Sequence, residues 1–445
     1  MSKKIVVVGG LAAGPAAASK AKRTNPDAEV ILIEKSNHIS YGICELPYFL
    51  SNDIKDYSEL FAFTPETLQS KRGVIVKTLN EVRDIDVKNR ELIILDRLNN
   101  KLSRLGYDKL ILALGSLPKK IEELPLVANV FTFKSLEDAL NLKKYIELNK
   151  SETAIIFGSG FIGLEIAEAL AKIGLRVTVF EKEELPMPYF ENKARKKILE
   201  LLFSNNIYFS SCSNISSFNI ENNIVKNLEI DGINYKSDVI INSIGVVPNT
   251  LLLKGTGINL GKTNGVIVNQ KMLTNIDGIY SCGDCSELKN LITQKNEFFS
   301  FANLAKKTGW IAGENAAGGM MKFKGVIPSY GLKIFGFEFA HVGLTFNKAI
   351  SLGYNCKRVF TEALIYPKMI SSQKIYIEMI FDSNSKILLG ADLYGENGCA
   401  LRANILSVAI YNKMTLSDIS QIDMVYHPLL TPQNDPIHFC SNLGI

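Results

Sequence analysis

The chain opens on a continuous apolar run, Ile5 to Val8, which predicts a strand buried on both faces. A glycine-rich turn follows, Gly9-Gly10-Leu11-Ala12-Ala13-Gly14, and then an Ala-rich stretch that predicts a helix from about Pro15 to Arg23. Pro26 and Asp27 end that unit, and a second apolar run, Val30 to Ile33, closes on Glu34. The same order returns later. Thr153 to Phe157 predicts a strand, Gly158-Ser159-Gly160-Phe161-Ile162-Gly163 a turn, and about Leu164 to Ile173 a helix that stops at Gly174. Arg176 to Phe180 predicts the next strand, closing on Glu181. Two further apolar runs, within Tyr107–Pro118 and Val239–Pro248, end in similar turns at Gly115 and Gly245, and their recurrence predicts crossings between domains. From about Lys322 the pattern changes to short β-rich segments: Gly331–Phe339, Lys357–Leu364, Ile375–Phe381 and Lys386–Leu393. With a helix from about Ala400 to Asn412, they predict an α+β domain. The aromatic stretch at Tyr426-His427-Pro428 predicts a plugging loop in place of a free tail.

Strand, glycine turn, helix, strand, acid is the order that binds a nucleotide. The turn admits a pyrophosphate to the backbone, the helix start supplies donors and positive dipole, and the acid takes ribose hydroxyls. In the first loop Leu11 stands where a second glycine is expected; the second loop is a complete GxGxxG. The fold class is therefore α/β, with two Rossmann-like nucleotide-binding domains and a C-terminal α+β domain. Glu181 would repel a 2′-phosphate, pointing to NADH, while Lys182 beside it leaves NADPH open. Gly283-Asp284 ends another strand, which places a carboxylate at the ligand-binding edge of a sheet, suited to ribityl hydroxyls or to water at a pyrophosphate. Phe301 to Ala305 opens a helix whose small residues, Gly309, Ala312 and Gly313, suit close approach to a flat ring.

At 445 residues the chain is too long for one core, and 47% hydrophobic with 21% charged residues is the profile of a soluble protein. A net charge of +5 without a basic, aromatic-interleaved stripe argues against nucleic acid. The first apolar run is too short for a signal peptide and no stretch suits a membrane span, so a cytoplasmic protein is expected. The seven cysteines are odd in number and scattered, which fits neither a disulfide scaffold nor a metal site. Cys282 and Cys285 read as inert thiols; His38, His341 and His438 read as packing residues.

Cys44 stands apart, in Ser40-Tyr41-Gly42-Ile43-Cys44-Glu45-Leu46-Pro47-Tyr48. No second cysteine accompanies it: Phe49 occupies the place five residues on. A lone thiol there can cycle through a mixed disulfide with a small thiol or through a sulfenic acid. Pro47 predicts a helix start beside it, whose dipole would favour the thiolate.

Together these residues resemble the pyridine nucleotide-disulfide oxidoreductases, in the single-cysteine branch of coenzyme A disulfide reductase, NADH oxidase and NADH peroxidase. Ser40, Cys44, Pro47 and Tyr48 fit the Ser-x-x-x-Cys-x-x-Pro-Tyr form of coenzyme A disulfide reductase, and Tyr426 and Pro428 fit its Tyr-x-Pro. Ala12 stands where the oxidases and the peroxidase carry a histidine, and Ile43 where relatives often carry asparagine. The resemblance implies an FAD domain split in sequence (1–117 and 248–321), an NAD(P)H domain (118–247) and a dimerisation domain (322–445). It implies a homodimer in which the partner's C-terminal domain closes each site. FAD would be held by Gly9, Leu11, Ala12, Ala13, Gly14, Glu34, Lys35, Ala113, Gly115, Gly283, Asp284, Ala302 and Ala305. NADH or NADPH would be held by Gly158, Gly160, Phe161, Ile162, Gly163, Glu181 and Gly245. The implied catalytic residues are Cys44 and Tyr426, with Tyr366 as a second tyrosine and His427 as the alternative acid. Coenzyme A phosphates would meet Lys20 and Arg23, beside Lys22, and Lys71 and Arg72, with Ser40 at the thiol end. The implied activity is NAD(P)H-dependent reduction of coenzyme A disulfide, persulfide or polysulfide, with coenzyme A itself a candidate adduct on Cys44. NADH oxidation by O₂, or electron transfer to a protein partner, are the competing expectations.

Overall fold

A computed structural model describes residues 3–211 and 215–445; Cys212 lies outside the described residues. Five short apolar strands form one parallel sheet in the order Ile279–Ser281, Lys109–Leu112, Lys4–Val8, Glu29–Ile33, Ile75–Lys77. Four of the five residues in each of the strands Lys4–Val8 and Glu29–Ile33 are buried. Helices cover the faces of a parallel sheet, which is why such runs do not alternate. The helix after the first loop spans Ala13–Thr24, two residues earlier than its composition predicts, because the turn is complete by Ala12.

A second parallel sheet repeats the plan: Tyr208–Ser210, Arg176–Phe180, Thr153–Phe157, Val239–Asn242, Val130–Thr132. Its loop helix spans Phe161–Lys172 and begins directly at Gly160, three residues before the expected start. The two predicted crossings meet: Ser116–Pro118 pairs antiparallel with Val246–Pro248, so the chain leaves one sheet and returns to it through a two-stranded link.

The C-terminal part is an antiparallel sheet, Ser329–Ile334, Phe337–Gly343, Leu388–Gly395, Lys374–Asp382, Cys356–Leu364, with the helix Cys399–Tyr411 on one face. The single segment expected over Gly331–Phe339 is in fact a hairpin, turned at Phe335 (φ 47°) and Gly336 (φ 80°). The opposite face carries Phe339 and Tyr394, which share one continuous core with the second parallel sheet. Among the described residues no helix is long and apolar enough to cross a membrane.

Candidate active site

Glycine contacts shape both nucleotide loops. Gly9 has φ 112°, and a Cβ there would lie 2.1 Å from the Ala113 carbonyl oxygen. A Cβ on Gly14 would lie 1.7 Å from the Gly9 oxygen, and one on Gly283 (φ 72°) 2.9 Å from the Ala13 methyl group. Only glycine lets the loop, the strand end at Ala113 and the Gly283-Asp284 turn converge on one helix start. Ala12 caps that helix with no side-chain bond, as does Gly160 in the second loop, so first-turn N–H donors stay available to a phosphate. Glu34 is buried and accepts the Gly10 N–H at 2.7 Å and the Ser36 N–H at 2.8 Å. These groups fit a dinucleotide such as FAD; Leu11 is half-buried, and Lys35 beside Glu34 is exposed.

In the second loop a Cβ on Gly163 would lie 2.0 Å from the Gly158 oxygen, whereas one on Gly160 meets nothing within 4 Å. Glu181 accepts from the Ser159 N–H at 2.8 Å and its hydroxyl at 2.6 Å. Ile162 sits in the first turn, and Phe161 stacks on Tyr189 with centroids 5.5 Å apart. Gly115 (φ 73°) and Gly245 (φ 114°) turn the two crossings.

The cysteine segment is tied to the first loop by its backbone. Ser40, at φ 52°, donates its N–H to the Gly10 oxygen at 2.8 Å and accepts from the Ala62 N–H at 2.8 Å. Tyr41 accepts the Leu136 N–H at 3.3 Å, and burial first of all pushes its hydroxyl up to about 12. The short helix Leu46–Leu50 then buries Leu46, Phe49 and Leu50 in the core shared with the second sheet, roughly 1.5–3 kcal/mol for each side chain. Cys44 is thereby held where the two nucleotide units meet.

The helix start was expected to favour the thiolate, and here the protein groups act the other way. Cys44 is exposed, yet enough protein crowds it that desolvation raises the thiol pKa, and Glu45 and Glu165 raise it further. The helix has only five residues, and its N-cap is Glu45, a carboxylate next to the sulfur. Lys134 is the cation that opposes them. Its ammonium stands 3.6 Å from Asp284, whose carboxylate also accepts from Ser116 at 2.8 Å and Ser300 at 2.5 Å.

Lys134, Glu165, Ser116 and Ser300 had no motif to announce them, since each lies far from Cys44 in sequence. Burial raises the Glu165 carboxyl to about 7, with Glu168 and Glu45 adding repulsion. His341, read as packing, is a buried member of an ion pair with Asp392. The small residues of the helix Ala302–Ala316 also need correcting. A Cβ on Gly309 would lie 2.4 Å from the Ala13 oxygen and one on Gly313 2.1 Å from the Ala17 oxygen, so that face packs against the first helix and not a ring. Ala305 is buried beside Gly283, and Ala302 is exposed.

The basic cluster is divided. Lys20 pairs with Glu314 at 2.6 Å, and the Lys22 ammonium is bound to the carbonyls of Pro26 and Ala28. Arg23 and Lys71 are exposed, at the ends of two helices that meet where Lys22 approaches Gly73. Arg72 lies over the Phe63 ring at 5.6 Å. Tyr426 is 52% exposed, in a loop closed by its own bonds; there His427 Nδ1 accepts the Leu429 N–H at 3.3 Å. Tyr366 is half-buried and accepts from Asn397 at 3.2 Å. Neither tyrosine is among the groups acting on Cys44 within the chain. Cys282 and Cys285 are buried and unpaired, as expected.

A family model described as pyridine nucleotide-disulphide oxidoreductase matches residues 3–306, and one described as the dimerisation domain of such proteins matches residues 330–435. An NADH oxidase from Methanocaldococcus jannaschii is 31% identical over 440 residues, spanning 98% of this chain and 97% of the relative. An NAD(P)H sulfur oxidoreductase (CoA-dependent) from Pyrococcus furiosus is 30% identical over 441 residues, with the same shares. Among solved structures, the reduced CoADR-RHD of Bacillus anthracis superposes with a TM-score of 0.95 at 26% identity, covering 100% of this chain and 80% of that one.

Proposed function

This chain belongs to the pyridine nucleotide-disulphide oxidoreductase family, and we propose that it is an NAD(P)H-dependent flavoprotein reducing coenzyme A disulfide, or a related persulfide or polysulfide, through Cys44. The observation that carries the reading is the backbone bond from Ser40 to Gly10, which pins a lone, exposed thiol to the first nucleotide loop. FAD, when bound, supplies the two-electron chemistry that links hydride to thiol.

The division of labour among the residues follows from their places. The first loop, Glu34 and Asp284 hold FAD, and the second loop with Glu181 holds NADH in preference to NADPH. The Cys44 thiolate attacks one sulfur of the incoming disulfide and breaks its S–S bond, keeping one half as a mixed disulfide and expelling the other as a thiolate. Two electrons from NAD(P)H, passed on by FAD when bound, would then cleave the mixed disulfide and restore the thiolate. Lys134 opposes the carboxylates around the sulfur and so favours the thiolate. Tyr426 of a second copy protonates the leaving thiolate at sulfur; His427 is committed to its own loop and suits that task less. Arg23, Lys71 and Arg72 meet the coenzyme A phosphates. The protein works as a cytoplasmic homodimer through its dimerisation domain, with the domain limits expected from the sequence.

Likeness to the M. jannaschii protein named NADH oxidase favours reduction of O₂ as the second reading. Intact mass before and after reductant separates the two. A reducible adduct of coenzyme A mass that disappears in Cys44→Ser supports the thiol reading. A bare thiol or a sulfenic acid overturns it in favour of the oxidase. Cys44→Ser should abolish disulfide reduction while the flavin is still bleached by NAD(P)H.

A further inference from the structure

His341 is 1% exposed, and both of its ring nitrogens face acceptors. Nδ1 meets the Asp392 carboxylate, and Nε2 lies 3.1 Å from the Gly343 carbonyl oxygen. An ionised carboxylate and a carbonyl can only accept, so the ring carries both protons and a full charge. The second Asp392 oxygen accepts the backbone N–H of Glu191, which comes from the second nucleotide-binding unit. The Glu191 carboxylate accepts the Phe346 N–H at 2.6 Å and stands 3.6 Å from Arg358, itself 3.4 Å from Glu378. The charged groups that act on His341 are Asp392 on its own sheet and Glu191 from across the boundary; Glu378, on the same sheet, lies within reach of both carboxylates and of the cations Arg358 and Lys193. Burial pulls the imidazolium down, but Asp392, the Gly343 carbonyl and Glu191 together more than offset it; burial raises both Glu191 and Glu378.

Glu191 ends the segment that follows Glu181. Within that segment Met187 donates its N–H to the Ser159 oxygen at 3.1 Å, and Tyr189 stacks on Phe161. Ser159 and Phe161 belong to the second glycine loop. Tyr330 stacks on the His341 ring at 5.5 Å and meets Phe161 edge-on at 6.1 Å. One packed path thus runs from the buried cation in the C-terminal sheet to the nucleotide loop.

We propose that His341 is a positioning residue for the nicotinamide dinucleotide: as a buried cation it orients Asp392, which holds the Glu191 segment and so sets Ser159 and Phe161. The proposal rests on the reading that the second loop binds NAD(P)H. The test compares holoenzyme with His341→Gln, which keeps one hydrogen bond but no charge, and with Asp392→Asn. Calorimetry gives Kd for NAD⁺, steady-state kinetics give KM for NAD(P)H and for the disulfide, and melting curves establish that each variant is folded. Both variants should raise Kd and KM for the nicotinamide nucleotide about fivefold, with KM for the disulfide unchanged. The double variant should be no worse than the worse single, because the two residues act in series. A folded variant with unchanged NAD⁺ affinity, or with both KM values raised equally, overturns the proposal. If neither variant folds, Tyr189→Leu perturbs the far end of the path without touching the buried cluster, and unchanged NAD⁺ affinity there overturns it as well. Wild-type enzyme that neither binds NAD⁺ nor oxidises NAD(P)H would instead overturn the assignment of the second loop.

Discussion

Gly160 and Gly163 stand three residues apart in one loop, and the structure assigns them opposite fates on substitution by alanine. At Gly160 the backbone has φ −75° and ψ −171°, an extended conformation open to any residue, and an added Cβ meets nothing within 4 Å. The weaker N-cap is offset by the smaller entropy of the unfolded chain, so stability should stay within about 0.5 kcal/mol. The new methyl group does occupy the space through which a pyrophosphate reaches the backbone, and NAD⁺ affinity should fall about tenfold or more, which is about 1.4 kcal/mol. At Gly163 the Cβ would stand 2.0 Å from the Gly158 oxygen and 2.7 Å from Ser243 Oγ. The helix start and the strand end must separate by more than the slack of a packed interior, at about 3 kcal/mol. Gly163→Ala should therefore melt about 5 °C lower even without nucleotide. Differential scanning fluorimetry and NAD⁺ calorimetry on both variants read the two effects separately. If Gly160→Ala binds NAD⁺ normally, or melts as low as Gly163→Ala, the placement of the nucleotide against Gly160 is wrong.

Two further outcomes follow from charge. Glu165 has a folded-state pKa of about 7 against an ordinary 4.5, so its protonated form stabilises the fold fully below pH 4.5, and that contribution is lost as pH rises through 7. The shift corresponds to about 3 kcal/mol, or about 1–2 kcal/mol after screening by solvent, and Glu165→Gln should flatten this part of the stability–pH curve; parallel curves for the two proteins would refute it. Arg23 is exposed while Lys20 and Lys22 are engaged, so Arg23→Ala should raise KM about threefold or more for coenzyme A disulfide and leave a phosphate-free disulfide unaffected; equal effects on both substrates would sink the assignment.

Local order was legible because its forces are local. Each strand–turn–helix–strand–acid unit closes within about thirty residues, and its bonds join near neighbours, such as Gly10 to Glu34 and Ser159 to Glu181. The lone cysteine and the missing partner at Phe49 could likewise be read directly. Tertiary structure alone decided what surrounds that cysteine. Lys134, Asp284 and Glu165 act on it from three separate segments; burial, with Glu45, Glu165 and Asp284, turns the expected bias toward thiolate into a raised pKa against the opposing pull of Lys134. Small residues in the helix Ala302–Ala316 carry the same signal for ring contact as for helix packing, and only the approach of Ala13 and Ala17 settles it. His341 shows the limit most clearly. Its partners lie 51 residues away at Asp392 and, through that carboxylate, a further 201 at Glu191. A lone histidine becomes a fixed cation only when folding removes water and brings a carboxylate to it, and no stretch of sequence records that meeting.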